Sequence, residues 1–180
     1  MPRQFARFRT LVSPSSVDEF TVPADGMCLS VFLVLTAPHD PASVVLGRMN
    51  PDPRWEELGA MGPERVARFA GRWMLPSSQL VLFESPTDAA RRLARELVGF
   101  ELPQPEPPQV FSEAYPRTGG GPNDLHWDLH FVFRAPGPAQ LSPHPLWREL
   151  SYVRVDSLLR SEFARNQGDV LELIGILPKA

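Results

Sequence analysis

Residues 73–102 read WMLPSSQLVLFESPTDAARRLARELVGFEL, a pattern that predicts a strand, a tight loop and a helix. Ser85 is a favourable N-cap residue, and Pro86 fits the first helical turn because an N–H there would lack an intrahelical partner. Asp88 stands three residues after the cap, as in an acidic variant of the capping box. Apolar residues then recur at four-residue steps: Ala89, Leu93 and Leu97. Gly99 is predicted to end the helix.

The segments around this helix are predicted to form one sheet. Residues 28–37, CLSVFLVLTA, form a continuous apolar run rich in β-branched residues, as expected for a strand covered on both faces. Further extended segments are predicted at 44–50, 79–84, 109–115, 125–135 and 149–155, and a C-terminal helix at 156–177. This order of elements predicts an α/β or α+β fold with a mixed sheet packed between helices.

The chain is predicted to contain one domain. Its 180 residues, 43% of them hydrophobic, suffice for one buried core and would be cramped for two. We assign residues 1–26 to an N-terminal extension, with a candidate short strand at 20–23, and residues 27–177 to the domain. Residues 51–72 show a helical pattern from Pro63 and are predicted to be an insertion that packs beside the sheet.

Composition and charge argue against several classes of partner. The net charge of −3 gives no concentrated basic surface for nucleic acid. The longest apolar run is too short to cross a bilayer, and residues 1–10 lack the apolar segment of a secretory signal. The glycine-rich segment 118–122 lacks the lysine and hydroxyl residue of a phosphate-binding P-loop and is predicted to be a flexible hairpin tip.

Cys28 is the only cysteine of the chain. An intramolecular disulfide is therefore excluded, and a cytoplasmic location is expected. Because Cys28 lies in an apolar run, an inert buried thiol is favoured over a nucleophile.

The spacing within residues 78–100 resembles the Nudix box. That pattern has a glycine, a glutamate, an arginine, a further glutamate, a second glycine and an apolar residue at fixed intervals. The residues at these positions here are, in order, Ser78, Glu84, Arg92, Glu96, Gly99 and Phe100. The resemblance covers about residues 27–175. It implies a Nudix-like α/β/α sandwich with a mixed sheet, in a protein that handles nucleoside diphosphates linked to another group.

Two acidic positions of the box are occupied by leucine. In the family, the glutamate after the arginine and the second of the paired glutamates help to bind a divalent metal ion that activates water, and these positions are Leu93 and Leu97 here. An isobutyl group cannot ligate Mg²⁺, which requires oxygen donors. The resemblance therefore implies that Mg²⁺- or Mn²⁺-dependent hydrolysis is lost or weakened. Ser77 and Ser78 replace two glycines, so a loop that needs a positive φ there would be strained.

The residues at the other box positions each have two interpretations. Glu96 is either a salt-bridge partner of Arg92, four residues earlier, or a residual metal or ligand contact. Glu84 either orders the loop and caps the helix or acts with Glu96 as a catalytic carboxylate and metal ligand. Arg92 is a candidate ligand-binding residue. Leu93 and Leu97 are either ordinary core residues or, as the family's geometry implies, side chains that face the cleft.

Other candidate ligand-binding residues lie outside the box. His126, Asp128 and His130 alternate along one predicted strand and share a face, where they either face a ligand or solvent or bind Zn²⁺, Mn²⁺ or Fe²⁺. Trp55 either stacks on a base or covers the core. Arg48 stands where the family often carries a phosphate-contacting arginine, and a surface salt bridge is the alternative.

Three functions are compatible with these features. We favour a protein that binds a nucleotide-type ligand with little or no hydrolysis. The first alternative is an active Mg²⁺- or Mn²⁺-dependent hydrolase that uses Glu84 and Glu96 and recruits Asp128 or Glu113. The second is a scaffold or regulatory subunit, a homodimer for example, whose leucine-filled cleft contacts a partner.

Overall fold

The computed structural model describes residues 7–8, 27–59, 61–116, 125–142 and 144–178. The candidate strand at 20–23 and the predicted hairpin tip at 118–122 lie outside these residues. The division into an extension and a domain stays a prediction.

In the described residues, seven strands form one mixed sheet. They are β1 (Arg7–Phe8), β2 (Met27–Ala37), β3 (Asp40–Met49), β4 (Ser77–Gln79), β5 (Gln109–Pro116), β6 (Leu125–Pro136) and β7 (Trp147–Arg154). Five strands lie in the order β5-β6-β2-β3-β7, while β1 and β4 also pair with β2. The β2–β6 pair is parallel and the other pairs are antiparallel. The run predicted to be covered on both faces is the central strand β2, and its residues 31–35 are all buried.

The described part of the chain also contains α1 (Arg54–Gly59), α2 (Pro63–Phe69), α3 (Pro86–Leu93) and α4 (Gln167–Leu173), which are α-helices beside the sheet. The predicted helix from Pro63 is confirmed as α2. Helix α3 continues into one π-helical turn, Ala94–Val98, before Gly99 closes it with φ 80°. Among the described residues, no helix has the length and apolar character that a bilayer crossing requires.

The C-terminal helix is much shorter than predicted. Residues 155–166 contain three short 3₁₀ turns, and only Gln167–Leu173 is α-helical. Two backbone hydrogen bonds explain the interruption, since Trp73 N–H donates to the Glu162 carbonyl and Ala164 N–H donates to the Trp73 carbonyl. Arg165, at φ 55°, then reverses the local backbone hand, so a continuous helix cannot form.

The sheet carries a separate apolar core on each face. Val31, Leu33 and Leu35 of β2 pack in a cluster that includes residues of α1, α2 and α3. Phe32 and Val34, on the other face of β2, pack in a second cluster that includes residues of α4. The predicted mixed sheet between helices is therefore confirmed.

The N-terminus of α3 has the predicted cap. Ser85 Oγ accepts a hydrogen bond from the Asp88 N–H at 3.1 Å, and Pro86 occupies the first turn. We expect Ser85→Ala to lower the free energy of unfolding by about 1 kcal/mol, because one helix N–H then loses its partner. Urea denaturation measures the change. Ser161→Ala, at an exposed serine, is the control and should change stability by less than about 0.5 kcal/mol. Equal effects of the two substitutions would contradict the assigned cap.

Candidate functional site

A largely buried ion pair joins the box helix to the loop before it. Arg92 Nε donates to Glu84 Oε1 at 2.7 Å, and Arg92 Nη2 donates to Glu84 Oε2 at 2.8 Å. The Val81 N–H also donates to Glu84 Oε2, at 3.1 Å, and Arg92 Nη2 donates to the Gln79 carbonyl at 3.2 Å. The spacing permits this pair, because Glu84 lies just before the helix and Arg92 lies two turns into it. Of its two interpretations, Glu84 thus has the contacts of a residue that orders the loop.

Leu93 and Leu97 lie in the core and not in a cleft. Both side chains are 0% exposed and belong to the apolar cluster between the sheet and helices α1 to α3. The expectation that they face the cleft is wrong. Their four-residue spacing continues the buried series that begins at Ala89, so the face of the helix that carries them is the core face. No apolar surface is available there for a partner of the kind a scaffold would need.

The box side chains do not fit a Mg²⁺ or Mn²⁺ site of the family's kind. Mg²⁺ requires near-octahedral oxygen coordination. Leu93 and Leu97 offer no oxygen, and both oxygens of Glu84 already accept hydrogen bonds from Arg92. Glu96 is half-buried, and its Oε2 lies 3.8 Å from Arg92 Nη1, which is the predicted salt bridge. Among the box positions, Glu96 is therefore the one partly accessible carboxylate that could meet a metal ion, and it lies beside a buried cation.

The two serines at the start of the box belong to β4. Ser77 Oγ accepts a hydrogen bond from Gln167 Nε2 of α4, and Ser78 Oγ donates to the Leu58 carbonyl of α1. Positive φ is not needed at either position, so the expected strain does not arise there. The serines link the sheet to one helix on each face.

Backbone strain occurs at the tip of the loop. Residues 81–84 were predicted to be extended but form a tight turn, in which the Glu84 N–H donates to the Val81 carbonyl at 3.0 Å. Phe83 adopts φ 66°, a left-handed conformation that is rare for a bulky side chain. Its ring is 99% exposed, and Leu82 beside it is also exposed. The turn thus holds an aromatic ring in solvent directly before Glu84.

Trp55 and Arg48 both contact aromatic side chains. Trp55 is 0% exposed, its Nε1 donates to the Asn50 carbonyl, and its ring meets Trp147 edge-on with centroids 4.8 Å apart. The base-stacking interpretation of Trp55 is therefore wrong, because the core already covers the ring. The Arg48 guanidinium lies 4.2 Å from the centroid of the Trp73 ring, and its Nε is 3.9 Å from Glu149 Oε2. A phosphate contact by Arg48 stays a prediction.

The three alternating polar residues of β6 share one face, as predicted. His126 Nε2 lies 3.4 Å and His130 Nε2 lies 3.8 Å from Asp128 Oδ2. His130 Nδ1 is 3.7 Å from Glu113 Oε2 of the neighbouring strand β5. Asp128 and His130 are buried, and Ser30 Oγ donates to Asp128 Oδ1 at 3.0 Å. This cluster is thus largely enclosed, and among its β6 residues only His126 keeps appreciable exposure.

Cys28 belongs to the same cluster. It pairs with Asp128 in the parallel β2–β6 register, and its Sγ accepts a hydrogen bond from Gln79 Nε2 at 3.3 Å. The thiol is buried, as predicted, but it borders polar groups. The Asp128 carboxylate, helped by the Cys28 sulfur, raises the pKa of His126 to about 10. Asp128 thus stabilises the protonated form of His126.

Solved structures share this architecture. The NUDIX domain of Shewanella oneidensis NrtR, complexed with ADP ribose, matches with TM-score 0.56 and 18% identity over 82% of this chain and 86% of that one. The Bacillus halodurans MutT protein matches with TM-score 0.54 and 17% identity, over 84% and 83% of the two chains. The Methanosarcina mazei MutT protein matches with TM-score 0.53 and 15% identity, over 87% and 99%. The chain has the Nudix fold. No family model and no curated protein matches the sequence.

The box helix and the cluster of Cys28, His126, Asp128 and His130 lie on opposite faces of the sheet. The box helix packs on the face of the sheet that bears Phe131 and Phe133, whereas Asp128 and its β5 neighbour Glu113 alternate onto the opposite face. The hydrolase hypothesis recruited these two carboxylates to work with Glu84 and Glu96. Strand alternation instead places them across the sheet from the helix.

The sequence did not indicate that Cys28 lies in the cluster of His126, Asp128 and His130. Cys28 and Asp128 are one hundred residues apart, and the parallel register of β2 and β6 brings them together. The apolar run around Cys28 is the one local signal, and it indicates a buried thiol without polar neighbours. The contact with Asp128 can be inferred only when the register of β2 and β6 is known.

Proposed function

We propose that this Nudix-fold chain binds a nucleoside diphosphate linked to another group. We propose also that the residues of its Nudix box do not hydrolyse this ligand. The observation that carries the proposal is the burial of Leu93 and Leu97 in the core, at the positions where the family has metal-binding carboxylates. A metal-activated water needs oxygen ligands around the ion, and leucine supplies none. The ligand class rests on the Nudix fold and on the ADP ribose held by the NrtR domain.

The exposed turn 81–84 supplies a candidate contact for the ligand. A bulky residue in the left-handed region costs about 1–2 kcal/mol, and such strain is often retained where a side chain has a function. Phe83 is held in that conformation with its ring almost completely in solvent. We assign the ring to stacking on the base of the ligand, since aromatic faces stack on bases without regard to sequence.

Calorimetry with ADP-ribose in the presence of EDTA tests the binding proposal. We expect one molecule to bind per chain without added metal, because in the proposed binding mode no metal ion bridges the box residues and the ligand. An excess of Mg²⁺ should change the affinity less than about threefold, which corresponds to less than about 0.7 kcal/mol. Binding that appears only with Mg²⁺ would contradict the proposal. Turnover with Mg²⁺ that Glu96→Gln abolishes would instead favour the hydrolase.

Substitutions of Phe83 separate its effect on protein stability from its effect on ligand binding. We expect Phe83→Gly to raise the free energy of unfolding by about 0.5–1 kcal/mol relative to Phe83→Ala, because glycine tolerates positive φ. Both variants should bind ADP-ribose about five- to a hundredfold more weakly, since about 1–3 kcal/mol of base stacking is lost. Leu159→Ala, at another exposed apolar residue, is the control and should bind normally. Unchanged affinity in both Phe83 variants would exclude this residue from the site.

A cytoplasmic location and a homodimer are compatible with this function. A reducing compartment suits the single buried thiol of Cys28, because neither disulfide formation nor oxidation is needed for the fold. For a homodimer, the buried leucines of the box are not available, so the interface would lie elsewhere.

A further inference from the structure

Three potential metal ligands converge on the face of the sheet opposite the box helix. Cys28, His126 and Asp128 each offer one ligand atom, and these atoms all lie within 4.8 Å of one another. Two neighbouring strands place them there. Cys28 of β2 is in register with Asp128 of β6, and His126 is two residues before Asp128 on the same strand face. The arrangement is therefore fixed by the sheet and not by a loop.

The spacing of the ligand atoms is close to that around a tetrahedral zinc ion. Zn–N and Zn–O bonds of about 2.0–2.2 Å and a Zn–S bond of about 2.3 Å place neighbouring ligand atoms about 3.3–3.8 Å apart. His126 Nε2 and Asp128 Oδ2 are 3.4 Å apart already. Small rotations of the Cys28 and His126 side chains would bring the sulfur to the same spacing.

Neighbouring side chains hold two of the ligands in place. Ser30 Oγ donates to Asp128 Oδ1 at 3.0 Å, which orients the carboxylate and turns Oδ2 toward His126. Gln79 Nε2 donates to Cys28 Sγ at 3.3 Å, a contact that fixes the position of the sulfur. Hydrogen bonds of this kind to metal ligands are the usual support of protein metal sites.

A buried polar atom beside the cluster lacks a hydrogen-bond partner. Gln79 is buried, and its amide lies against Cys28 through Nε2. The Oε1 atom of the same amide has no hydrogen-bond partner among the described residues. A buried carbonyl oxygen without a partner is rare, and a water molecule carried by a bound metal ion would satisfy it.

We propose that Cys28 Sγ, His126 Nε2 and Asp128 Oδ2 form a zinc site, with water at the fourth position. The donor set selects the ion, because thiolate and imidazole prefer Zn²⁺ over Mg²⁺ and Mn²⁺. Three protein ligands and an open position are the arrangement of zinc sites that act on a substrate, whereas structural sites are closed by four. This inference does not depend on the proposed nucleotide function, since the site lies on the opposite face of the sheet from the box helix.

Titration of the purified full chain with Zn²⁺ and with Co²⁺ tests the site. We expect one ion to bind per chain, with a thiolate-to-cobalt charge-transfer band that reports sulfur coordination. Cys28→Ser should abolish the band and weaken zinc binding at least about a hundredfold, and Ser30→Ala should weaken it about ten- to a hundredfold. His39→Ala, at an exposed histidine outside the cluster, is the control and should bind zinc like the wild type.

A second variant guards against misfolding of the cysteine variant. His126 is only half-buried, so His126→Ala should keep the circular dichroism of the wild type and still lose zinc binding. Zinc should raise the melting temperature of the wild type and of His39→Ala and leave that of His126→Ala unchanged. Co²⁺ that binds without the charge-transfer band would overturn the proposal. Zn²⁺ that binds His126→Ala as tightly as the wild type would overturn it too. Absence of stoichiometric binding to the wild type would overturn it as well.

Discussion

Leu97→Glu is expected to lower the free energy of unfolding by about 5 kcal/mol at pH 7. The substitution restores a carboxylate that the Nudix box normally has, but the position is 0% exposed and enclosed by apolar side chains. A carboxyl group in such a place must take up a proton, which costs about 4 kcal/mol at pH 7 for a group with an ordinary pKa near 4.3. Lost leucine packing adds the remainder. The variant should therefore be less stable than the wild type, and it should not acquire metal-dependent hydrolysis.

The pH dependence of this variant identifies the cause. Burial raises the pKa of the introduced carboxyl group in the folded state, so above pH 4.3 the unfolded state ionises first and stability falls as the pH rises. The deficit should shrink by about 1.4 kcal/mol for each pH unit between pH 7 and pH 5. Leu97→Met, a substitution that conserves volume, is the control and should cost less than about 1.5 kcal/mol. Wild-type stability of Leu97→Glu at pH 7 in urea denaturation would mean that the position faces solvent.

Arg92→Ala is expected to cost about 3 kcal/mol of unfolding free energy. The substitution leaves the Glu84 carboxylate, whose side chain is only 14% exposed, without the bidentate cation that neutralises it. It also removes the hydrogen bond to the Gln79 carbonyl, which holds the end of β4 to the helix. The turn 81–84 should become accessible to proteolysis, since Glu84 orders it through the Val81 N–H.

A double-mutant cycle with Glu84→Gln separates the pair from its surroundings. The double variant Glu84→Gln/Arg92→Ala should be less destabilised than the sum of the single changes, because no unpaired charge stays buried. Arg91→Ala, at the preceding and more exposed arginine, is the control and should cost less than about 1 kcal/mol. Strict additivity in the cycle would show that Arg92 and Glu84 do not act as a pair.

Local signals predicted the box helix and the central strand well. Ser85, Pro86 and Gly99 have chemical preferences that act within one or two turns, so their sequence positions were enough to place the ends of the helix. The apolar run of β2 likewise predicted a strand buried on both faces. The π-helical turn at 94–98 carries no comparable local signal.

The direction of the buried helix face was harder to infer. Family resemblance implied that Leu93 and Leu97 face a cleft, while their spacing from Ala89 indicated the core. The core interpretation is correct, because an apolar stripe at helical spacing is stabilised most by burial against the sheet. The burial of Trp55 has the same cause, since it depends on the packing of α1 and α2 against the sheet.

Contacts between distant segments could not be predicted. Cys28 meets His126 and Asp128 only because β2 and β6 pair in parallel at one register, and a shift by one residue would place the side chains on opposite faces. The extended prediction for 81–84 failed for a related reason. That turn depends on the hydrogen bonds between Glu84, Val81 and Arg92, and the last of these lies eight residues further along the chain.

Phosphorus NMR of ADP-ribose mixed with equimolar protein and Mg²⁺ tests the central claim most directly, that the ligand is bound and not cleaved through the box. We predict that the two diphosphate resonances shift or broaden on addition of the protein and keep their full intensity for hours. Contradiction would come from phosphomonoester signals that grow at the expense of the diphosphate, in a reaction that Glu96→Gln stops.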